Sequence, residues 1–237
     1  MSTKGESSQV LVVSVHPDDE TLGCGGTLLK HSASGDALSW LIVTQAHKPQ
    51  WSEEVIERKS VEIEKVAAAY GIVRTHRLGF PAAMLDTLPQ SELIARIREV
   101  IAYVKPDIVY LVHDGDVHSD HHCAFIATMS VLKTFYMGAL GVRRILCYET
   151  LSSTEAAPPQ HCRAFIPNVF NDVTPYLMRK IEIMAKFDSE RQGRLMPRGA
   201  SAIQALARFR GASIGVEYAE AFMLLREVAV LTGSQDA

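Results

Sequence analysis

The sequence has little cysteine, no long hydrophobic run and no excess of positive charge, and each absence excludes a class of protein. Its four cysteines are scattered through 237 residues and form no C-x-x-C pair, which excludes a disulfide framework and predicts a reducing, cytoplasmic setting. No run approaches the roughly 20 apolar residues of a membrane-spanning helix, so stable membrane association is not expected. The net charge of −3 and the pI near 6.3 argue against nucleic-acid partners, because phosphate contacts require a basic surface.

Predicted strands and amphipathic helices alternate along the first part of the chain. The predicted strands there are 9–15, 38–44, 73–78 and 108–112. In the last third, a strand is expected at 164–173 and a helix at 174–191. Repeated alternation is typical of a doubly wound α/β fold. We therefore predict one domain over 1–237, Rossmann-like, with a mostly parallel sheet, helices on both faces, and flexible tails at 1–8 and 232–237.

Two of the predicted strands end in clusters of imidazole and carboxylate groups. The first cluster, His16-Pro17-Asp18-Asp19-Glu20, opens a helix, with Pro17 expected at the first helical position and the acids in the first turn. The second cluster spans 113–122 and holds four histidines. Ligands of open α/β sheets bind at the carboxyl ends of the strands. We therefore expect both clusters at one binding edge.

The spacing inside the clusters suits a metal ion. His16 and Asp19 lie three residues apart across a strand-to-helix corner. His118 and His121 lie three residues apart at a helix start, where they share a face. Three His or Asp ligands with a fourth position open to water describe a catalytic zinc site. Because the ligands are nitrogen and oxygen without thiolate, Zn²⁺ is predicted, with Fe²⁺, Mn²⁺ and Co²⁺ as alternatives.

The run His16-Pro17-Asp18-Asp19-Glu20, with the later His118-Ser119-Asp120-His121, resembles the motifs of the PIG-L/LmbE family of zinc-dependent N-deacetylases. Further matching segments are Gly23-Cys24-Gly25-Gly26, Tyr148-Glu149-Thr150, Arg210-Gly211 and Tyr218-Ala219-Glu220-Ala221-Phe222. Members of this family remove acetyl groups from N-acetylglucosaminyl compounds. The resemblance implies a hydrolase of linear amide C–N bonds, whose small-molecule substrate is an N-acetylated amino sugar of surface-glycan or secondary-metabolite biosynthesis.

The resemblance also implies a role for each matched residue. The residues that match the zinc ligands are His16, Asp19 and His121. Asp18 matches the general base, which takes a proton from the activated water and later delivers it to the departing amine. His118 matches the imidazole that stabilises the oxyanion or assists as an acid, and Asp120 matches the carboxylate that orients this imidazole. Side chains adjacent on a helical start diverge by about 100°, so Asp18 and Asp19 are suited to separate roles.

Substrate contacts are less sharply defined by the sequence. Family members commonly place an arginine near the second helix that reaches the substrate, and both Arg58 and Lys59 fit that position. Exposed helix charges are the commoner use of such residues. Arg210 and Glu220 fit either the sugar pocket or a contact between subunits of a homo-oligomer.

Two other functions compete with sugar deacetylation. A zinc amidohydrolase of another small N-acyl compound would use the same ligands, with loops 79–89, 149–171 and 193–211 setting the substrate. A non-catalytic sugar- or nucleotide-binding module would keep the fold without turnover, but the complete set of base, ligands and imidazole argues against it. The segment Gly23-Cys24-Gly25-Gly26 lacks the G-x-G-x-x-G spacing of dinucleotide sites and lies inside a helix. We expect these glycines to allow close packing of the helix on the sheet.

Overall fold

A computed structural model describes residues 7–158 and 163–229, which contain one seven-stranded sheet. The strands are β1 (Gln9–Ser14), β2 (Ala37–Gln45), β3 (Arg74–Pro81), β4 (Ile108–Val112), β5 (Arg144–Tyr148), β6 (Val169–Asp172) and β7 (Ala219–Glu227). The helices are α1 (Asp19–Ser34), α2 (Glu53–Tyr70), α3 (Gln90–Val104), α4 (Ser119–Val131), α5 (Thr134–Met137), α6 (Leu177–Met184) and α7 (Ala200–Ala212). A short 3₁₀ helix covers Leu85–Thr87.

The strand order is β3-β2-β1-β4-β5-β7-β6. The chain adds β2 and β3 on one side of β1 and then crosses back to add β4 and β5 on the other side. The strands from β3 to β5 pair in parallel, and β7 runs antiparallel to both β5 and β6. Right-handed crossovers put α1 and α2 on one face and α3 and α4 on the other. The packing agrees, since α3 lies against α4 while α1 contacts α2 and α6. The predicted doubly wound, mostly parallel sheet is confirmed, and its reversal point lies between β1 and β4.

Helix α1 packs closely on the sheet because its glycines leave room for neighbouring side chains. A Cβ at Gly23 would lie 2.0 Å from the ring of Tyr148 in β5, and a Cβ at Gly26 would lie 2.8 Å from Val173. Tyr148 is fully buried and its hydroxyl donates to the carbonyl of Val13 in β1. The expected close packing is therefore confirmed.

A buried ion pair binds the backbone of α1 on both sides of an irregular residue in that helix. Cys24 has a non-helical backbone (φ −138°), and the N–H groups of Gly26 and Thr27 donate to the Glu220 carboxylate at 2.8 and 2.7 Å. The Lys180 ammonium lies 2.7 Å from the same carboxylate and donates to a carbonyl of the preceding turn of α1. Both charged side chains are about 4% exposed. Glu220 thus supports α1, and neither alternative expected for it, sugar contact or subunit contact, fits this burial.

Several boundaries expected from the sequence are wrong. Pro17 lies in a turn, and α1 begins only at Asp19, because Asp18 has a non-helical φ of 144°. The strand expected at 164–173 shortens to β6, which pairs only along the first residues of β7. The helix expected at 174–191 shortens to α6, and the chain then turns so that Phe187 enters the core. The following turns bring a loop over the polar edge of the sheet.

The tails expected at 1–8 and 232–237 lie outside the described residues, except for two serines. Ser7 and Ser8 hydrogen-bond to Gly35 and Asp36 in the turn after α1. In the part of the chain that the structure describes, no helix combines the length and the apolar character needed to cross a membrane.

Candidate active site

The turn from β1 into α1 carries the first cluster in a strained backbone. Asp18 has a φ of 144°, a region that non-glycine residues rarely adopt, and its N–H donates to the Glu20 carboxylate at 3.2 Å. One oxygen of Asp19 accepts hydrogen bonds from the backbone N–H groups of Val15 (2.9 Å) and His16 (2.8 Å). The turn therefore fixes the Asp19 carboxylate at the end of β1.

The second cluster places His121 in the first turn of α4, beside the end of β4. Its Nδ1 lies 2.7 Å from Asp116 Oδ2, and the other oxygen of Asp116 accepts a hydrogen bond from the Thr154 hydroxyl at 2.6 Å. The side chains of His121 and Asp116 are almost completely buried. A carboxylate on one ring nitrogen fixes the orientation of an imidazole and leaves its other nitrogen for a metal.

His16 is held by a carboxylate in the same way. Its Nε2 lies 3.2 Å from Asp120 Oδ2, and this carboxylate also accepts backbone hydrogen bonds from Ala83 (2.6 Å) and Leu85 (3.0 Å). The resemblance to the family's motifs implied that Asp120 orients His118, but the carboxylate instead bonds to His16. The hydrogen bond to His118 comes from the backbone N–H of Asp120, at 3.2 Å from Nδ1. The difference arises because His118 precedes α4 and caps its first turn.

The nitrogens left by these two carboxylates converge on Asp19. His121 Nε2 lies 3.4 Å from His16 Nδ1 and 3.5 Å from Asp19 Oδ2, while His16 Nδ1 is 3.9 Å from that oxygen. One atom of each residue lies within 4.8 Å of the other two, as a shared ion requires. His16, His118 and Asp120 form a second grouping of this kind, but only in the first grouping does each histidine have a further carboxylate on its other nitrogen, Asp120 for His16 and Asp116 for His121. The donor chemistry therefore favours His16, Asp19 and His121.

The charges at this centre are strongly coupled. Burial opposes ionisation of Asp19, but His121 and His16 outweigh it and hold the pKa of Asp19 well below its usual range. Burial likewise opposes protonation of His121, but Asp19 and Asp116 outweigh it and raise the pKa of His121 to about 10. A carboxylate that is ionised this readily is a ready ligand for a cation. Binding a metal here would displace the proton of His121, since a metal needs the neutral imidazole.

His118 is a neutral imidazole with a defined tautomer. Burial, together with the neighbouring His16 and His121, lowers the pKa of His118 to about 4. Its Nδ1 accepts the backbone N–H of Asp120, so the proton of the neutral ring is on Nε2. The ring lies 4.4 Å, centroid to centroid, from that of His16. His118 can therefore donate a hydrogen bond beside the candidate metal ligands without carrying a charge.

Asp18 is buried and faces an arginine. Burial raises the pKa of Asp18 well above its usual range, Asp19 raises it further, and Arg198 opposes both effects. The guanidinium Nη1 of Arg198 lies 3.0 Å from Asp18 Oδ2 and 2.6 Å from the Glu190 carboxylate, while Nε donates to the Ser152 hydroxyl at 2.9 Å. The neighbouring acids thus point in different directions, Asp18 to Arg198 and Asp19 to His121, as expected.

A cavity of about 330 Å³ opens beside these residues. Its polar walls come from the two clusters, from the loop after β5 and from the loop between α6 and α7. Its apolar walls include Leu22, Ile42, Trp51, Ile56 and Ile63. This volume is at the lower end of the range for small-molecule sites. The cavity therefore suits a compact ligand group with both polar and apolar surface.

Of the three residues expected to contact substrate, one lines the cavity and two do not. Arg58 is exposed on α2 and does not line the cavity, whereas Lys59 lines it and pairs with Glu190. Arg210 lies outside this cavity and makes two hydrogen bonds of 2.7 Å to Glu149. Its guanidinium also stacks near aromatic rings, so Arg210 holds α7 against the end of β5.

Sequence reasoning missed Arg198, Glu190 and Asp116. Arg198 is 180 residues from Asp18 in the chain and belongs to no motif, so only the folded loop reveals it. Glu190 was placed within a predicted helix. Asp116 lies inside the second cluster, five residues before His121. The general rule that a ligating histidine binds a carboxylate through its other nitrogen points to an aspartate of this cluster, but only the structure shows which of the three it is.

The chain is similar to known deacetylases and to a solved protein structure. The chain is 27% identical over 195 residues to the uncharacterized deacetylase YaiS of Escherichia coli, covering 80% of this chain and 95% of that protein. It is 26% identical over 225 residues to the diacetylchitobiose deacetylase of Thermococcus kodakarensis, covering 90% and 81%. The crystal structure of the conserved protein TT1542 of Thermus thermophilus shares the fold, with a TM-score of 0.74, 24% identity and coverage of 97% and 100%.

A family model matches the first part of the chain. The model described as PIG-L, GlcNAc-PI de-N-acetylase, matches residues 11–132, just over half of the chain. The matched segment contains both polar clusters, from His16 to His122. The family suggested by the sequence motifs is therefore confirmed, and the chain belongs to the PIG-L family of de-N-acetylases, enzymes that hydrolyse an amide bond.

Proposed function

We propose that this protein removes the acetyl group from an N-acetylglucosamine-type sugar with the aid of a divalent metal ion, Zn²⁺ by preference. The observation that carries the proposal is the convergence of His16, Asp19 and His121, with each histidine held by a carboxylate on its outer nitrogen. The family description, GlcNAc-PI de-N-acetylase, and the diacetylchitobiose deacetylase among the relatives support a sugar substrate.

The donor set fits such an ion. Two imidazole nitrogens and one carboxylate oxygen without thiolate suit Zn²⁺ and also Fe²⁺, Mn²⁺ or Co²⁺. Three protein ligands leave room for water and substrate. When bound, the ion supplies Lewis acidity, which polarises an amide carbonyl and lowers the pKa of a water molecule.

Asp18 serves as the general base in this proposal. Its carboxylate lies next to the ligand Asp19 along the chain and lines the cavity. Burial raises its pKa from the usual range, which makes a carboxylate a better proton acceptor at neutral pH. The ion pair with Arg198 opposes this shift and favours the ionised form that a base requires. Asp18 then takes the proton of the attacking water and passes it to the leaving amine.

His118 serves as a hydrogen-bond donor to the developing oxyanion. Its Nδ1 is occupied by a backbone N–H, so Nε2–H is the donor. Since burial and the adjacent imidazoles keep the ring neutral, the donor acts through its dipole and its position. Removing one such donor costs an enzyme about 10²–10³ in kcat.

The test is acetate release by the purified, metal-loaded protein from a panel of N-acetylated sugars. Asp18→Asn is expected to lower kcat by about 10²–10⁴, the usual contribution of a general base, while one equivalent of metal remains bound. His16→Ala and His121→Ala are expected to lose both metal and turnover. Asp114→Asn is the matched control, because this carboxylate is on the same loop but pairs with the half-buried His122.

Different failures of this test have different meanings. Near-normal turnover in Asp18→Asn refutes the assignment of the base. If the protein binds metal but hydrolyses no sugar, the sugar substrate is refuted, and the same site is then assigned to another small N-acyl compound. A protein that takes up no divalent metal, with His16 and His121 intact, refutes the proposal as a whole.

A further inference from the structure

Four charged side chains form an alternating chain along one wall of the cavity. The Lys59 ammonium pairs with Glu190 Oε1, and Glu190 Oε2 lies 2.6 Å from Arg198 Nη1. The same Nη1 lies 3.0 Å from Asp18 Oδ2. All four residues line the cavity and none is fully exposed. Both cations of this wall are therefore paired with carboxyl groups of the wall itself.

The remaining cation of the cavity wall is also paired. Among the described residues, the lysines and arginines that line the cavity are Lys59, Arg77 and Arg198. Arg77 Nη2 lies 2.5 Å from Glu64 Oε1, and its Nη1 donates to the Ser60 hydroxyl at 2.7 Å. Each of these cations already has a carboxylate partner.

A phosphate or carboxylate on a ligand binds most strongly beside a cation whose charge is not already compensated. Sites for such groups use arginine forks that bind the anion directly. Here an anionic ligand would meet Lys59 and Arg198 only by approaching Glu190 as well. Like charges placed together in a partly buried site oppose binding strongly. Glu190 therefore opposes binding of an anion to either cation, since one of its oxygens binds Lys59 and the other binds Arg198.

Neutral hydrogen-bonding groups are present in the same cavity. The Thr150 hydroxyl is buried, lines the cavity, and has no hydrogen-bond partner in residues 7–158 and 163–229. Ser153 also lines the cavity. A buried hydroxyl without a partner is costly, and a sugar hydroxyl or amide group would satisfy it. The wall is thus built for uncharged polar groups.

We propose that Glu190 is a specificity-determining residue that restricts this pocket to uncharged N-acetylated sugars and disfavours sugars that carry a phosphate or carboxylate near the acetamido group. This inference rests on the proposed function, which it narrows to a substrate class. Removing the charge of Glu190 while keeping its shape leaves Lys59 and Arg198 with one carboxylate between them. The pocket then gains affinity for an anion.

The experiment compares kcat/KM for methyl N-acetylglucosaminide with kcat/KM for the 1-phosphate and the 6-phosphate of N-acetylglucosamine. The metal-loaded wild-type enzyme is expected to prefer the neutral sugar by about tenfold or more. In Glu190→Gln the ratio of neutral to anionic kcat/KM is expected to fall by about tenfold. A general loss of folded enzyme lowers kcat/KM for both substrates alike and cancels in this ratio. Glu182→Gln is the control, because Glu182 pairs with Arg179 on an exposed face of α6, and its ratio is expected to match the wild type.

The outcomes separate this inference from the proposed function. Turnover of sugar phosphates equal to or faster than that of the neutral sugar overturns the role of Glu190 and leaves the deacetylase function standing. A ratio that is unchanged in Glu190→Gln also overturns it. If no sugar is hydrolysed, the proposed function fails. In that case calorimetry measures the Kd of N-acetylglucosamine and of its 6-phosphate for the metal-loaded wild type and for Glu190→Gln. The inference expects the preference for the neutral sugar, as a ratio of the two Kd values, to fall by about tenfold in Glu190→Gln, and an unchanged ratio overturns it.

Discussion

The buried pair of Lys180 and Glu220 should dominate the stability of helix α1. In Glu220→Gln the side chain keeps its size but loses its charge, so the Lys180 ammonium, about 4% exposed, remains buried without an anion. The amide also has one oxygen where the carboxylate has two. Its NH₂ group would therefore face one of the donors that Glu220 now accepts, the N–H groups of Gly26 and Thr27 and the Lys180 ammonium.

The magnitude follows from the burial of both partners. Removing one partner of a buried ion pair costs about 3–5 kcal/mol, because the other charge is left uncompensated. For a domain of this size each kcal/mol lowers Tm by roughly 2–4 °C. Glu220→Gln is therefore expected to lower Tm by roughly 6–20 °C. The loss belongs to folding and not to the reaction, since Glu220 does not line the catalytic cavity.

The assay is urea-induced unfolding followed by circular dichroism, with thermal unfolding as a second measurement. The matched control is Glu182→Gln on α6, which removes the partner of the exposed Arg179 and is expected to cost less than about 1 kcal/mol. The double variant Lys180→Met with Glu220→Gln removes the stranded ammonium. It is expected to be more stable than Glu220→Gln alone. A loss below about 1 kcal/mol in Glu220→Gln, or a double variant whose losses simply add, refutes the reasoning.

Two further predictions concern the metal site and the packing behind it. Asp116→Asn is expected to weaken metal binding about 10–100-fold, because His121 loses the carboxylate that holds its ring; competition with a metal indicator dye measures this, and unchanged affinity would contradict it. Gly23→Ala is expected to cost about 1–3 kcal/mol in unfolding free energy through overpacking, because the new Cβ would lie 2.0 Å from the Tyr148 ring. Gly193→Ala, with open space around it, is the control in the same unfolding assay.

The sheet and the meeting of the two polar clusters were predictable from the sequence, because both follow from the pattern of strands and helices. The apolar run of β1 and the alternation of strands and helices predict the sheet, and a parallel sheet brings the ends of β1 and β4 together. That placement joins His16 to His121 across 105 residues. What local rules miss is the direction of individual side chains. Asp120 was expected beside His118, yet its carboxylate turns to His16 because His118 uses its own ring to cap α4.

The loop that carries Glu190 and Arg198 was unpredictable for a different reason. Its conformation depends on where α6 ends, and the sequence pattern extended that helix to 191, past the true end at Met184. A helix through this segment would have kept Glu190 away from Lys59, which is 131 residues distant in the chain. The turn after α6 follows from the packing of Phe187 into the core. The helical periodicity of the sequence carries no information about such a tertiary contact.

The positions of these groups along the chain suggest how chemistry and selectivity are divided. The candidate ligands, base and oxyanion donor all lie in residues 11–132, the segment that matches the family. Thr150, Glu190 and Arg198 lie beyond it, in loops that follow β5 and α6. The reacting centre is fastened to strand ends by backbone hydrogen bonds and buried carboxylates, where small shifts would be costly. The groups that we propose to select the substrate lie on loops, which tolerate change without disturbing the sheet. Substitutions at Glu190 should therefore alter which N-acetylated compound is accepted while the metal affinity set by Asp19 and His121 stays the same.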